Sequence, residues 1–588
     1  MESVWKVYAK KADFCKIGEK YNIDPVIARI IRNRDVVTDE EIKIYLKGSR
    51  ADLFDGFLMK DMDKAVSIIL EKIAERAKIR IIGDYDVDGV SSIYILMKGL
   101  KAAGACADYV VPHRVADGYG INENLVKNAF DAGVDTIITC DNGIAAIEQI
   151  NYAKQLGMTV VVTDHHDIRF EIDDDGNKNY EIPKADAVIN PKQTDCAYPF
   201  KELCGAAVAY KLVECLLKRA FEMQQASSLI ITKERYPHFM DDLLSVAAVA
   251  TVGDVMKLQG ENRIIVREGL KLLNNTKNLG LRSLMELNEL GQGNLSAYHI
   301  GFIIGPCLNA SGRLDSAEHS IELLMAETKP EADRLAGDLK AFNDERKNLT
   351  LLQTEAAMEM IDGTKLADDN VLVVFLPECH ESIAGIIAGR LRERYYKPSF
   401  VITKGEEGLK GSGRSIEGYN MFEHLLKVSD LLTKFGGHPM AAGVSLPTDN
   451  LEEFRRKLNE QAGLTKEDLT PVEWIDVPMP IGYITENIVD QLSILEPFGN
   501  GNEKPVFADR DLIISRMSVI GKNRNVLKMN LTDANGHTIE ALKFNVDDAF
   551  VSEWKTGDVV SVIYYPSVNE FNGRRTLQIV VKEMRKKN

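Results

Sequence analysis

Between Ile79 and about Asn190, short β-branched runs alternate with stretches of helical period. Five runs stand out: KIRIIGDY, ADYVVPHR, DTIITCDNG, MTVVVTDHH and ADAVINPK. Such alternation predicts a parallel sheet covered by helices, because strands buried on both faces read as continuous apolar runs rather than as an in-out pattern. Each of the first four runs ends in Asp, His or Arg. Ligands in open α/β sheets collect at the carboxyl ends of the strands, so one crevice is expected to gather these side chains.

Helical sequence continues to about Asn275, and Pro330 opens a strongly charged helical stretch (EADRLAGDLKAFNDERKNLTLLQTEAAMEMI) that reads as a linker between lobes. A second α/β lobe is expected from Asn370 (NVLVVFLP) to about Gly463, with GSGRS and FGGHPMAAG as glycine-rich turns. From Pro471 the pattern changes to short strands with turn signals, including Asn572-Gly573 between VNEF and RRTLQIVV. This predicts a small antiparallel β-barrel of OB-fold type. The expected organisation is therefore α/β: a helical N-terminal extension (1–75), a first α/β domain (76–275), a helical region ending in the linker helix (276–365), a second α/β domain (366–465) and the barrel (466–588).

A length of 588 residues, with 45% hydrophobic and 27% charged, supports several folded domains and little low complexity. The start, MESVWKVYAKKADF, lacks the layout of a signal peptide, and the longest apolar run, Leu243 to Val252, is too short to span a bilayer. Eight cysteines without a CxxC pair argue against zinc and against a disulfide framework, so a cytoplasmic protein with no membrane contact is expected. The net charge of −16 sits poorly with a polyanionic partner. From Lys504 onward, however, basic residues outnumber acidic ones, which leaves the barrel as the electrostatically favoured contact.

The most informative segment is Gly83-Asp84-Tyr85-Asp86-Val87-Asp88-Gly89, with carboxylates at alternate positions. Extended, it would point all three the same way, and their repulsion would call for a divalent cation. An EF-hand loop also begins DxDxDG, but its twelfth position here is Ile95 rather than Glu, and a strand precedes it. Two further strand ends carry Asp141 (TCDNG) and Asp164-His165-His166 (VVTDHH), and Asp254 follows an apolar helical run (ATVGDVM). Mixed carboxylate and imidazole ligands suit Mn2+ better than zinc, and so many of them can hold two ions, Mn2+ or Mg2+, as a hydrolytic pair. Adjacent histidines on an extended segment face opposite ways, so His165 is taken as the ligand and His166 as a contact to substrate phosphate.

With DYDVDG, TCDNG, TDHH and TVGDVM in this order, the chain resembles the DHH phosphoesterase superfamily. VPHRVADGYG, INPK, CGAAVAYKL, IGPCLNASGRL, CHESIAGIIAGRL, KGSGRS and FGGHPMAAG resemble motifs of its RecJ branch. The resemblance implies two lobes (DHH and DHHA1), an OB-like domain and metal-dependent 5′-to-3′ exonuclease activity on single-stranded DNA, in recombination and repair. It implies metal ligands Asp84, Asp86, Asp88, Asp141, His165 and Asp254, with Asp141, His165 and His166 in catalysis and Asp141 or Asp86 bridging the ions. Arg114, Ser412 and Arg414 would cap a terminal 5′ phosphate. Asn309 and Arg313 would lie along the strand's path, and His380 and His438 would complete the substrate contacts. Single-strand binding protein and a helicase are the implied partners of a monomer. Cys307 and Cys379 depart from the branch's commonest residues, Arg and Trp. Tyr564, Tyr565 and Phe571 beside Arg574 and Arg575 are candidates for a stacking track on the barrel. Three rivals fit less well: a small-substrate phosphodiesterase of the superfamily usually lacks the barrel, a pyrophosphatase has His where Asp84 stands, and a helicase scaffold would have lost its ligands.

Overall fold

The computed structural model describes every residue except 1–2, 115–117, 119, 174–176, 224–228, 292, 294, 406–407, 572 and 588, and at 571 it describes the backbone only. The chain forms two compact units, residues 49–470 and residues 2–48 with 471–588.

In the first unit the five β-branched runs become the five strands of a parallel sheet: β1 (Lys78–Ile82), β2 (Cys106–Val110), β3 (Thr136–Cys140), β4 (Thr159–Thr163) and β5 (Ala187–Ile189). Their order is β2-β1-β3-β4-β5. The chain leaves β1 on one side to make β2 and returns to the other side to make β3, so the topological switch point lies at the carboxyl ends of β1 and β3. Helices α1 (Val87–Ala102) and α2 (Gly205–Glu222) pack against this sheet, α3 (Tyr236–Gly253) packs on both of them, and all three are largely buried. A Cβ on Gly99 of α1 would fall 2.3 Å from Val213 of α2, so glycine there permits the close approach of the two helices.

Helix α4 (Gly305–Leu314) precedes the charged linker helix α5 (Lys329–Asp362), and α6 (Glu381–Tyr395) covers the second sheet. That sheet runs β9 (Lys434–His438), β10 (Ala441–Leu446), β8 (Gly408–Arg414), β7 (Ser399–Gly405), β6 (Leu372–Phe375), and only β6 and β7 are parallel. Here the sequence reading needs correction: GSGR is not a turn but the end of β8, a central strand paired with β7 and β10. Its glycines serve packing. A Cβ on Gly411 would lie 2.3 Å from Ile402, and one on Gly413 2.5 Å from the Met421 sulfur. FGGHPMAAG is likewise a hairpin, β9 and β10, with Pro439 and Met440 at its tip.

The second unit joins the two chain ends. A strand at Val4–Val7 pairs in parallel with Val472–Ile475, and helices Phe14–Tyr21, Pro25–Asn33 and Asp39–Lys47 share an apolar core with the barrel strands. The expected helical extension over 1–75 is therefore divided: residues up to 48 belong with the C-terminal part, and the rest with the first unit. Sequence reasoning missed this because the pairing is between opposite ends of the chain. The barrel strands Phe507–Ile520, Val526–Thr532, Thr538–Phe544, Arg574–Lys586 and Val559–Phe571 pair in that order, and the first also pairs with the last. Tyr564 is buried with its hydroxyl donating to the Met479 carbonyl, so it is core rather than track. Tyr565 lies under the Lys504 ammonium, and Arg575 is held by Glu486, Asp490 and Glu570. Asn572 and the Phe571 side chain lie outside the described residues.

The Arg34 guanidinium forks the Asp476 carboxylate at 2.7 and 3.0 Å, and both side chains are buried. Removing one partner leaves a buried charge unpaired, which typically costs about 3–5 kcal/mol. All three tryptophans, Trp5, Trp474 and Trp554, lie in this unit, so their fluorescence reports its unfolding. Arg34→Leu is expected to lower the urea midpoint of the fluorescence transition. A midpoint equal to that of the unsubstituted chain would show that the pair does not secure the N-terminal helices.

Candidate metal centre

The acidic segment is not extended beyond its first residue. Asp84 follows β1, Asp86 is the N-cap of α1 and accepts from the N–H groups of Asp88 and Gly89, and Asp88 lies in the first helical turn. The bend leaves Asp84 and Asp86 facing Asp141 together and sends Asp88 to His165 and Asp254, so two of the three carboxylates share a direction and the third does not. Asp88, fully buried, accepts from the N–H groups of Gly205 and Ala206 at 2.6 and 2.7 Å, where the N-terminus of α2 offers unpaired donors and a favourable dipole. Glycine is required where these elements meet. A Cβ on Gly89 would fall 2.3 Å from the Asp84 carbonyl oxygen, and one on Gly205 2.8 Å from Cβ of Asp141.

Asp141 is held at φ +60° directly after β3, a left-handed conformation that aspartate tolerates better than most residues. After β4, Asp164 accepts from the backbone N–H groups of Ile144, His165 and His166 and from Nδ1 of His166. The two histidines converge rather than diverge: their ring centroids are 4.4 Å apart, and each has a ring nitrogen within cation-binding reach of Asp141. The segment after Thr163 has left the strand, so the alternation expected of extended backbone no longer applies.

Among the described residues, three groups of side chains bring ligand atoms within 4.8 Å of one another: Asp84, Asp86 and Asp141; Asp141, His165 and His166; and Asp88, His165 and Asp254. His165 Nε2 lies 3.1 Å from Asp141, 3.5 Å from Asp88 and 3.7 Å from Asp254. Asp141 belongs to two groups, the arrangement expected of a carboxylate shared by adjacent ions; His165 also belongs to two, but a neutral imidazole can ligate only one ion. The electrostatics carry the same demand. Burial, and then the charge of Asp86, raises Asp84 well above the usual carboxylate range; burial and Asp88 do the same for Asp141. Burial, with Asp88 and Asp86 beside it, pushes Asp254 up to about 8. Asp84 Oδ1 and His165 Nδ1 are buried with no hydrogen-bond partner among the described residues. Carboxylates that resist ionisation and an unsatisfied buried acceptor are what a cation would relieve, so the residues present fit a pair of divalent ions. Asp164 differs: the hydrogen bond from His166 overcomes its burial and lowers it to about 2, while that bond raises His166 to about 9 against its own burial.

Among residues expected to meet substrate, Arg114 stacks on the Tyr85 ring, 4.5 Å from its centroid, and so sits over the acidic segment. Arg313 donates to the Ser382 carbonyl at 2.7 Å, joining α4 to the first turn of α6; burial, with Arg114 nearby, lowers it to about 9. Asn309, expected on the strand's path, accepts from Val87 N–H at 2.7 Å and steadies the start of α1. His380 is the N-cap of α6, and Ser412 sits within β8, opposite Val401 and Gly443. Arg414 packs on Gly385 of α6 and donates to the Gly413 carbonyl, while His438 is exposed at the end of β9. Cys307 and Cys379 are both buried, Cys307 accepting from Asn343 of the linker helix. Sequence reasoning left no role for Tyr85, for the N–H groups of Gly205 and Ala206, or for Asp164. Each lay inside a quoted motif, Tyr85 in DYDVDG, Gly205 and Ala206 in CGAAVAYKL and Asp164 in TDHH, but the motifs did not say which of their atoms would act.

Three family models match: the DHH family N-terminal domain over residues 78–251, the DHHA1 domain over 368–463 and the RecJ OB domain over 475–583. The single-stranded-DNA-specific exonuclease RecJ of Bacillus subtilis strain 168 is 34% identical over 587 residues, which covers 98% of this chain and 70% of that protein. The protein of the same description from Escherichia coli K12 is 32% identical, with 95% of each chain covered. Among solved structures, RecJ from Thermus thermophilus in complex with Mn2+ is 25% identical with a TM-score of 0.82, covering 100% of this chain and 80% of that one. A second, exonuclease RecJ bound to manganese, is 29% identical with a TM-score of 0.57, covering 70% and 96%. A match of all three domains in order, with near full-length identity above 30% to curated relatives, places this chain in the RecJ family of single-stranded-DNA-specific exonucleases.

Proposed function

We propose that this chain hydrolyses the phosphodiester bonds of single-stranded DNA from the 5′ end and releases 5′ mononucleotides, using two Mn2+ or Mg2+ ions. Asp84, Asp86, Asp88, Asp141, His165 and Asp254 would hold the ions. The observation that carries this reading is the membership of Asp141 in two cation-sized groups, which favours it over Asp86 as the bridging carboxylate. Bound divalent ions supply Lewis acidity and a water of lowered pKa.

The chain's own residues then have separable tasks. The carboxylates fix where the ions sit, and the α2 N-terminus fixes Asp88 through two backbone N–H groups. His166, oriented by its hydrogen bond with Asp164, contacts a non-bridging oxygen of the scissile phosphate, where charge grows in the transition state. Arg114, on its Tyr85 platform, joins Ser412 and Arg414 as a fork-shaped donor to the terminal 5′ phosphate. Arg313 both contacts the strand and ties the second lobe to the first. Ser412, Arg414, His380 and His438 are proposed to hold the 5′ end, with the Ser412 hydroxyl and the Arg414 guanidinium as donors, since the β8 backbone is committed to its sheet. A fixed end sets the cutting distance and therefore the direction. Action as a cytoplasmic monomer in recombination and repair, alongside single-strand binding protein and a helicase, belongs to the same reading.

Digestion of end-labelled strands tests it. Asp141→Ala is expected to lower turnover about a thousandfold or more while leaving strand binding near that of the unsubstituted chain. Activity should vanish with chelator and return with Mn2+. A blocked 5′ end should slow release sharply, and undiminished release would remove the pocket assigned to Arg114, Ser412 and Arg414. Gly205→Ala forces a methyl group against Asp141, so the metal concentration for half-maximal activity should rise about tenfold or more. An unchanged metal titration would refute the idea that this contact holds Asp141 in place.

A further inference from the structure

Asn190-Pro191-Lys192 follows β5 at the carboxyl end of the sheet, next to the segment that carries His165 and His166. Asn190 is fully buried and ties the two segments together: its Nδ2 donates to the His166 carbonyl at 3.0 Å, and its Oδ1 accepts from Lys192 N–H at 2.8 Å. Gln193 secures the far side of the turn by donating from Nε2 to the Val188 carbonyl at 2.8 Å. The backbone that carries Lys192 is therefore fixed against the backbone that carries the histidine pair. Lys192 closes the INPK motif and has no task in the chemistry above.

The side chain is placed as firmly at its root and loosely at its tip. Lys192 is half-buried, and its ammonium reaches Asp167 Oδ1 at 2.8 Å, a carboxylate whose side chain is 71% exposed. Exposed pairs of this kind contribute little stability, so the ammonium can leave Asp167 at small cost. The hydrogen bond from Lys192 holds Asp167 below the usual carboxylate range, and the charges of His438 and His166 act in the same direction. On the metal side, burial raises Asp254 while His166 and Lys192 oppose the rise, and burial lowers His165 with His166 and Lys192 acting alongside. Lys192 is thus near enough to the Asp88, His165 and Asp254 group for its charge to be felt there, and Asp167 lies within range of two histidines proposed to meet substrate.

We propose that Lys192 is a phosphate-binding residue on the His165 and Asp254 side of the centre, and that Asp167 is the positioning residue that holds its ammonium ready until the strand arrives. This rests on the exonuclease reading above. A phosphate oxygen in the cleft is a less hydrated partner than an exposed carboxylate, and charge-assisted bonds strengthen as water is excluded, so the ammonium gains by the exchange. Lysine suits such a transfer, because it carries a compact charge with three donors on a flexible stem.

The test uses the full chain and digestion of a 5′-phosphorylated single strand with Mn2+ at a series of salt concentrations. Lys192→Met is expected to raise KM about tenfold, with kcat the smaller change, and to flatten the dependence of log kcat/KM on log salt by about 0.7, the share of one phosphate contact on a single strand. Lys192→Arg should recover the slope. Asp167→Asn should act in the opposite sense and lower KM about threefold, because the ammonium loses its competing acceptor. In Lys192→Met/Asp167→Asn that gain should disappear, since Asp167 acts through Lys192. A Lys192→Met chain with the KM and salt slope of the unsubstituted chain would overturn the assignment, and so would a loss that Lys192→Arg does not recover, which would mark a packing role. An Asp167→Asn gain of equal size with and without Lys192 would overturn the positioning role, because it would reflect only the removal of one negative charge. If the unsubstituted chain cuts no single strand, the exonuclease reading fails instead. The same salt slopes, read from fluorescence anisotropy with a labelled strand, then decide whether Lys192 binds phosphate.

Discussion

Five carboxylates and two imidazoles crowd the carboxyl ends of three parallel strands and the end of an apolar helix, with Asp84, Asp88, Asp141 and His165 buried and Asp86, His166 and Asp254 partly exposed. Their mutual repulsion is the constraint around which the first unit is arranged. Such a cluster is stable only if the surrounding backbone over-determines it, and several features do so. Asp86 caps one helix, Asp88 is held by the first N–H groups of another, and Asp164 accepts four hydrogen bonds. Glycines at 89 and 205 admit backbone where any side chain would collide with Asp84 or Asp141. Each device holds a carboxylate whose burial alone would favour the neutral acid.

The second lobe is coupled to this centre by side chains rather than by sheet pairing. Arg313 reaches from α4 to the first turn of α6, while Asn309, one turn earlier on α4, holds the start of α1. A single helix thereby touches the acidic segment and the lobe proposed to hold the strand's end. Any shift of α6 relative to α4 would be felt at Val87, one residue from Asp86 and Asp88.

The departures from the family pattern at Cys307 and Cys379 fall on buried positions. Cys307 packs where α4 meets the linker helix and accepts from Asn343, and the Cys379 carbonyl accepts from Thr403. These are small apolar residues in close packing, a role that a free thiol fills as well as a hydrocarbon side chain. They affect how the elements pack and leave the acidic centre untouched.

The parallel sheet, the linker helix beginning at Lys329–Pro330, the barrel and the convergence of Asp84, Asp141, His165 and Asp254 were legible in the sequence, because each follows from a local pattern. β-Branched runs write strands, strand ends collect ligands, and a proline followed by charged residues starts a helix. What local pattern could not decide was direction in space. The sequence read DYDVD as extended, GSGR as a turn and the two histidines as divergent; the tertiary structure makes the first a helix start, the second a central strand and the third a convergent pair. Nor could local pattern join residues 4–7 to 472–475 or set Asn309 against Val87, since partners hundreds of residues apart leave no trace in a window of neighbours. Residue type fixed what chemistry was available, and long-range packing fixed which atoms could reach one another to perform it.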